Sequence, residues 1–174
     1  MQEKKLLSQA VDPVSLVKEL RQKMKVANLT AIPESFQTGL FDKPGKIINP
    51  YLYYSIIGLC EYITSQITGS IPFDQEKLQK KLPDLEVLLA SNADLKAIKN
   101  NLKDWGIRLF WLPRFSELEL EGYVTMTVDE SYALFIFVQG GNLAKFNNSL
   151  LRCIKSIATG KVISKIVFDR RHKT

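Results

Sequence analysis

The chain has 174 residues, of which 45% are hydrophobic and 24% charged, values typical of a folded globular protein. Its net charge is +6, and no apolar run approaches the roughly 20 residues that a bilayer-spanning helix needs. The first residues contain no apolar stretch of signal-peptide length. These features exclude a membrane-spanning chain, and we expect a cytoplasmic protein with no membrane contact.

The first part of the chain shows helical patterns marked by proline. Asp12-Pro13 predicts a helix start, because Asp caps free N–H groups and Pro is tolerated in the first turn, and Asn49-Pro50 repeats the pattern. Residues 51–68 are apolar around much of the helix circumference. Such a helix is either buried on more than one side or forms part of an oligomer or partner interface. Three tyrosines in its first turn are therefore candidate partner-binding residues: Tyr51, Tyr53 and Tyr54.

Two further helices follow. Asp74 is the predicted N-cap of the first, in which Pro83 is expected to cause a bend or a break because it removes a backbone donor and clashes with the preceding turn. Ser91 or Asn92 is predicted to cap the second. Gly106 is predicted to end that helix in a left-handed conformation.

The pattern then changes to that of strands. Residues 107–112 form a short apolar run, residues 123–128 alternate, and residues 132–138 are apolar throughout, as in a strand covered on both faces. Residues 143–157 predict an amphipathic helix, and residues 162–168 predict a last strand. The order of elements predicts an α+β fold, in which N-terminal helices are followed by a small, largely antiparallel sheet packed on helices.

A succession of segments carries a resemblance to a known family: Pro72 to Leu78, Leu82 to Leu89, Leu102 to Pro113, the small-residue turn at Leu120 to Val124, the strand from Tyr132 to Val138, and the helix lead-in from Asn142 to Leu151. Over about residues 70–158 this succession resembles the ImmA/IrrE family of zincin-like peptidases, in particular the C-terminal part of XRE-type regulators. The resemblance implies a helical region over residues 1–70 and a degenerate ImmA/IrrE-like α+β domain over residues 71–174.

In that family, the helix after the strand pair carries a His-Glu-x-x-His zinc site, whose spacing places both histidines on one helix face. Here Arg152 and Ser156 stand at the two histidine positions, Cys153 stands at the position of the general-base glutamate, and only Asp169 lies near the place of the downstream acidic ligand. Arg stays protonated, and Ser is not among the usual zinc ligands. The departure therefore implies a pseudo-peptidase without metal, cofactor or catalysis.

The resemblance then implies a regulatory domain that binds a protein or a ligand or associates with itself, in a mobile-element, toxin–antitoxin or phage-defence regulator. Nucleophilic catalysis would need a base beside the nucleophile, and the only histidine is His172. Cys60 and Cys153 are predicted to be buried free thiols, with a disulfide or a reactive thiol, such as a Cys153–His172 pair, as the alternative. Three carboxylates alternate in one polar segment and are predicted to form a solvated patch: Glu117, Glu119 and Glu121.

Two basic regions keep a second function open. Arg108 and Arg114 lie among aromatic residues that include Trp111; these side chains are candidates for partner contacts or for base stacking, with core packing as the alternative. The C-terminal excess of positive charge indicates a solvated tail, a contact with phosphate, or a contact with an acidic protein. Under the alternative hypothesis of a nucleic-acid-binding accessory protein, the contact residues are Lys161, Lys165, Arg170, Arg171 and Lys173.

Overall fold

A computed structural model describes residues 50–91, 94–114, 118–138 and 143–169 of the chain. These residues form four helices: α1 (Pro50–Ser65), α2 (Gln75–Ala90), α3 (Leu95–Asp104) and α4 (Leu143–Ala158). They also form four strands: β1 (Ile107–Pro113), β2 (Leu120–Met126), β3 (Tyr132–Val138) and β4 (Lys165–Asp169). The helix predicted after Asp12 lies outside the described residues.

The strands form one mixed sheet in the order β1-β3-β2-β4. β1 pairs with β3 in parallel, from Ile107 opposite Tyr132 to Pro113 opposite Val138. β2 pairs antiparallel with both β3 and β4. The predicted α+β fold with a largely antiparallel sheet is confirmed. The parallel pair arises because the short turn after β2 places β2 directly beside β3, which leaves β1 the other side of β3.

Side chains alternate between the two faces of the sheet, and a different set of helices covers each face. On one face, Leu102 of α3 and Ile154 of α4 belong to the same buried cluster as Leu134 of β3, and α2 contributes to it as well. On the opposite face, Ile56 of α1 packs with Phe135 of β3. β3 is therefore buried on both faces, as its continuous apolar run predicts.

The helix α2 continues through its internal proline. Asp74 is the N-cap, as predicted, and its side chain accepts a hydrogen bond from the Lys77 backbone N–H at 2.9 Å. Pro83 lies within the helix and is exposed, so the expected break does not occur. Leu78 and Leu85 are fully buried on either side of it. Their burial holds the helix on the core and offsets the backbone hydrogen bond that proline removes.

The start of α3 differs from the prediction, and its end agrees with it. Ser91 closes α2 as its C-cap, so neither Ser91 nor Asn92 caps α3. The N-cap is Asp94, whose side chain accepts a hydrogen bond from the Lys96 backbone N–H at 3.0 Å. Gly106 follows the C-cap with φ +78°, the left-handed conformation expected of a glycine at this place.

Two strands have different ends from those predicted. β2 begins three residues earlier and ends two residues earlier than the alternation indicates, because Thr127 enters a turn in which its N–H donates to the Ser131 carbonyl at 2.8 Å. β4 begins at Lys165, not at Val162. Val162 is buried, and its carbonyl accepts a hydrogen bond from the Tyr132 hydroxyl at 2.8 Å. Val162 is thus an apolar residue of an anchored loop, and its side chain alone does not distinguish it from a strand residue.

The predicted domain boundary at residue 70 falls between α1 and α2. Although α1 belongs to the N-terminal side of this boundary, Tyr53 and Ile57 pack on the sheet. Most of the region before residue 70 lies outside the described residues, so the division into two domains stays a prediction.

Candidate functional site

The helix α4 carries the three positions that the family resemblance assigns to a metal site. It packs on the sheet face that α2 and α3 also cover, and the apolar stripe predicted from the sequence is its buried side. Cys153 belongs to this stripe and is fully buried, whereas Arg152 and Ser156 are partly exposed. Residues 152 and 156 lie one turn apart on the same side of the helix. Cys153 points away from them into the core.

The Cys153 sulfur packs against β2. A Cβ atom built on Gly122 would lie 2.7 Å from Sγ of Cys153 and 3.3 Å from the carbonyl oxygen of Phe135, so glycine leaves the space that the sulfur occupies. Cys153 is a free cysteine, as is Cys60 on the other side of the sheet, and both are buried. The prediction of two buried free thiols is confirmed. A thiol without solvent access acts in packing and cannot reach a substrate.

Arg152, at the first histidine position, is held by a carboxylate and an aromatic ring. Its guanidinium donates a hydrogen bond to the carboxylate of Glu121 on β2. The guanidinium carbon lies 5.7 Å from the centroid of the Phe168 ring on β4. The side chains of Arg152 and Glu121 are 29% and 12% exposed, so water screens this pair less than an ordinary surface pair. The prediction of a solvated patch is therefore wrong for Glu121.

Arg152 and Ser156 line an open depression of about 570 Å³ beside β4. The residues that line it are Asn148, Leu151, Arg152, Lys155, Ser156, Lys161 and Ile166. Nζ of Lys155 lies 2.7 Å from Oε1 of Glu86 on α2, while Lys161 has no ion-pair partner among the described residues. The surface thus combines three cationic groups with a hydroxyl, an amide and two apolar side chains.

Comparisons with protein-family models, with curated proteins and with solved structures gave no match. The resemblance to the zincin-like peptidases therefore stays a prediction. A fold shared with many proteins does not define a function, so the function has to be inferred from the side chains themselves.

The donor set for a metal ion is sparse in the part of the chain that the structure describes. There, no group of three or more His, Cys, Asp and Glu side chains lies together in a way that could hold a metal ion. His172 and the side chain of Asp169 lie outside the described residues. The alternative of a Cys153–His172 pair is thus not described, but its cysteine is fully buried.

The tyrosines proposed as partner contacts differ in exposure. Tyr53 is only 3% exposed and belongs to the core between α1 and the sheet, so it is a packing residue instead of a contact residue. Tyr54 is half-buried, which leaves part of its ring accessible. The side chain of Tyr51 lies outside the described residues.

The arginine and tryptophan candidates near β1 do not form one site. Nε of Arg108 donates to the Ser70 hydroxyl at 3.3 Å. Arg114 pairs with Glu119 at 3.1 Å. Trp111 is 50% exposed, so the alternative of core packing is wrong for this ring. Trp111 is the candidate among these three that presents a free surface.

The basic residues proposed for nucleic-acid contact are only partly described. Lys161 and Lys165 are exposed, and Lys165 lies on the edge strand β4. Arg170, Arg171 and Lys173 lie outside the described residues. Among the helices that the structure describes, none has the length and apolar character required to cross a bilayer.

One buried polar cluster escaped the sequence analysis. Glu61 of α1 accepts hydrogen bonds from the Tyr123 hydroxyl and, at 3.1 Å, from the Thr125 hydroxyl, both on β2. Burial and the nearby Glu61 carboxylate raise the pKa of Tyr123 well above its usual value, and the same two causes raise the pKa of the Cys60 thiol. Glu61 is the one charged residue among residues 51–68, which is the only sequence signal for this contact.

Proposed function

We propose that the chain is a non-catalytic binding module, in which the depression beside α4 holds the anionic group of a regulatory protein or ligand. In terms of the family that the sequence resembles, it is a pseudo-peptidase whose former metal site has become a binding surface. Such a module acts in a regulator, of the mobile-element, toxin–antitoxin or phage-defence type that the resemblance implies.

The observation that carries the non-catalytic part is the state of the three side chains on α4. Arg152 is paired with Glu121 and lies over a ring. Cys153 is fully buried against Gly122. Neither side chain is placed to bind a metal ion or to attack a substrate, because the first keeps its proton and the second has no access to solvent. Ser156 has no hydrogen-bonded base among the described residues, and a serine without one is a weak nucleophile.

The binding part rests on the composition of the depression. Lys161 supplies a positive charge that has no ion-pair partner among the described residues, and Arg152 and Lys155, each paired with a carboxylate, add further donors. The hydroxyl of Ser156 supplies another hydrogen-bond donor. Leu151 and Ile166 form apolar walls beside these groups. A carboxylate or phosphate with an apolar portion next to it matches this surface, since charge-assisted hydrogen bonds fix the anion while the apolar walls exclude water.

A thermal-unfolding titration tests the proposal with two probes, inorganic phosphate and a glutamate-rich peptide. At a probe concentration of 100 times Kd, binding stabilises the folded state by about 2.7 kcal/mol, which corresponds to a rise in Tm of about 5–10 °C for a chain of this length. The variant Lys155→Gln/Lys161→Gln should lose most of this rise. The control variant Lys80→Gln/Lys81→Gln carries the same charge change on α2, where both lysines lie within ion-pair distance of acids on their own helix, and should keep it.

If the probe raises Tm equally in the two variants, it binds through the overall positive charge of the protein and not in the depression. The non-catalytic part has its own test in elemental analysis of the purified full chain and a peptide-hydrolysis assay. One zinc ion per chain, together with hydrolysis that a chelator abolishes, would refute it.

A further inference from the structure

The outer face of α3 carries three lysines that have no counter-ion among the residues that the structure describes. Lys96, Lys99 and Lys103 are spaced at i, i+3 and i+7, which places them on one face, and all three are exposed. No carboxylate of the described residues lies within ion-pair distance of them. Of the two acids next to this face in sequence, Asp94 uses its carboxylate to cap the helix, and Asp104 forms no ion pair with the three lysines. Like charges one turn apart destabilise a helix, so local helix stability does not explain this arrangement.

The neighbouring helix α2 shows the ordinary arrangement of surface lysines. Lys80 lies 3.9 Å from Glu76 one turn earlier, and Lys81 lies 3.0 Å from Asp84. Two of the three lysines of α2 are therefore balanced along the helix itself, and the third, Lys77, donates to the Asp104 carbonyl. The face of α3 is by contrast a concentrated positive surface that is suited to an external polyanion.

An exposed indole ring lies directly beside the lysines. Trp111 on the edge strand β1 is 50% exposed, and Nζ of Lys99 lies 5.7 Å from the centroid of its ring. The other tryptophan, Trp105, is only 7% exposed. A half-exposed ring next to a cationic helix face is the combination that stacks bases while the cations contact phosphates.

The edge of β1 itself is not open to an added peptide strand. Ile107 and Leu109 have the same orientation along the strand as Trp111, yet they are 0% and 1% exposed. An extended peptide could therefore not pair along the whole strand, because the backbone at Ile107 and Leu109 is covered. This observation favours a partner that uses the ring and the charges over a partner that pairs with the strand.

We propose that Lys96, Lys99, Lys103 and Trp111 form a binding surface for single-stranded nucleic acid, which we name the α3–β1 surface. Bases stack on the indole ring, and the lysines contact successive phosphates. The stripe from Lys96 to Lys103 is about 10 Å long, the axial length of about three stacked nucleotides. Single-stranded nucleic acid presents several planar bases and several phosphates over this length. The indole ring can stack on the bases, and the lysines can contact the phosphates.

The first test measures the affinity of the full chain for a labelled single-stranded oligothymidylate of about 12 nucleotides by fluorescence anisotropy at several salt concentrations. The variant Lys96→Gln/Lys99→Gln/Lys103→Gln should bind at least about tenfold more weakly at low salt, and the slope of log K against log salt should become shallower by about 2. The control, Lys77→Gln/Lys80→Gln/Lys81→Gln, removes three exposed lysines of α2, of which Lys80 and Lys81 lie within ion-pair distance of carboxylates and Lys77 donates to the Asp104 carbonyl. It should change the affinity by less than about threefold.

The second test uses tryptophan fluorescence. Stacking should quench the emission of Trp111, while buried Trp105 provides an internal reference. Trp111→Leu should abolish the quenching and weaken binding by about tenfold. All replaced side chains are on the surface, and unchanged circular dichroism and Tm establish that each variant is folded.

Three results would overturn the proposal. The first is that the oligonucleotide does not bind at low salt. The second is that the α3 lysines are not the contact, shown either by an equal loss of affinity in the two triple variants or by a loss of affinity on substitution of Lys161 and Lys165 instead. The third is binding of a glutamate-rich peptide with the same affinity and the same dependence on α3, which would assign the surface to an acidic protein.

Discussion

Gly122 on β2 is expected to be intolerant of any side chain, because a methyl group there has to enter the space of the Cys153 sulfur. The built Cβ lies 2.7 Å from Sγ, about 1 Å inside the usual contact distance of about 3.5–4.0 Å. It also lies 3.3 Å from the backbone carbonyl of Phe135, which cannot rotate away. Overpacking of this kind costs about 1–3 kcal/mol, and Gly122→Ala should therefore lower Tm by about 2–12 °C.

A double-mutant cycle assigns this loss to the contact with Cys153. Cys153→Ala removes the opposing atom, so the two changes together should be about 1–2 kcal/mol less destabilising than the sum of the single changes. Cys60→Ala is the matched control, since it makes the same deletion at an equally buried cysteine on the other face of the sheet. Its effect should add to that of Gly122→Ala within about 0.5 kcal/mol.

The assay is urea unfolding followed by circular dichroism, with each free energy of unfolding extrapolated to water. Additive effects in the cycle with Cys153, or an unchanged stability of Gly122→Ala, would refute the conclusion that the sulfur selects glycine at this position. Coupling of equal size with Cys60 would point to a general loosening of the sheet instead.

Three more changes have defined outcomes. Arg152→Gln or Glu121→Gln removes the charged partner of a partly buried group and should cost about 1–3 kcal/mol in urea unfolding, whereas the double variant should recover part of the loss. Pro83→Ala should raise the free energy of unfolding by about 1–3 kcal/mol, because alanine restores a helix donor. The pKa of Tyr123 is higher in the folded state than its value near 10.0 in the unfolded state. The stability that this difference contributes is fully present below pH 10 and falls above it by about 1.4 kcal/mol per pH unit. Tyr123→Phe should remove this part of the alkaline slope.

Each of these outcomes can fail in a distinct way. Additive losses for the two partners of the Arg152–Glu121 pair would mean that the residues do not interact in solution. An unchanged or lower stability of Pro83→Ala would mean that the gain of the donor is offset, for example by a more flexible unfolded chain. An alkaline slope that is the same with phenylalanine at position 123 would show that the tyrosine is not protected from ionisation.

Local patterns predict most of the elements because their causes are local. The alternation and apolar runs of the strands and the stripe of α4 follow from the period of each structure, and Gly106 is recognisable from its place after a helix. The N-cap of α3 and the start of β4 differ from the prediction, each for its own reason. Several polar residues near Asp94 are equally good caps, and Val162 is buried in a loop by contacts with a distant strand.

The surroundings of the candidate site were less predictable, since they depend on pairing between distant segments. The resemblance assigned Arg152, Cys153 and Ser156 to the site, but Glu121 lies 31 positions before Arg152, and the sheet and helix bring them together. The contact between Glu61 and Tyr123 joins residues 62 positions apart. Register and helix placement determine such pairs, and periodicity carries no information about either.

The two sheltered sulfurs are also natural probes of motion. Cys60 is on the buried side of α1 and Cys153 is on the buried side of α4, and the two helices cover opposite faces of the same sheet. An alkylating reagent can reach each thiol only when the helix that carries it separates from the sheet. The two labelling rates therefore measure the opening of α1 and of α4 separately. A faster reaction at Cys60 would show that α1 detaches while the rest of the molecule stays folded.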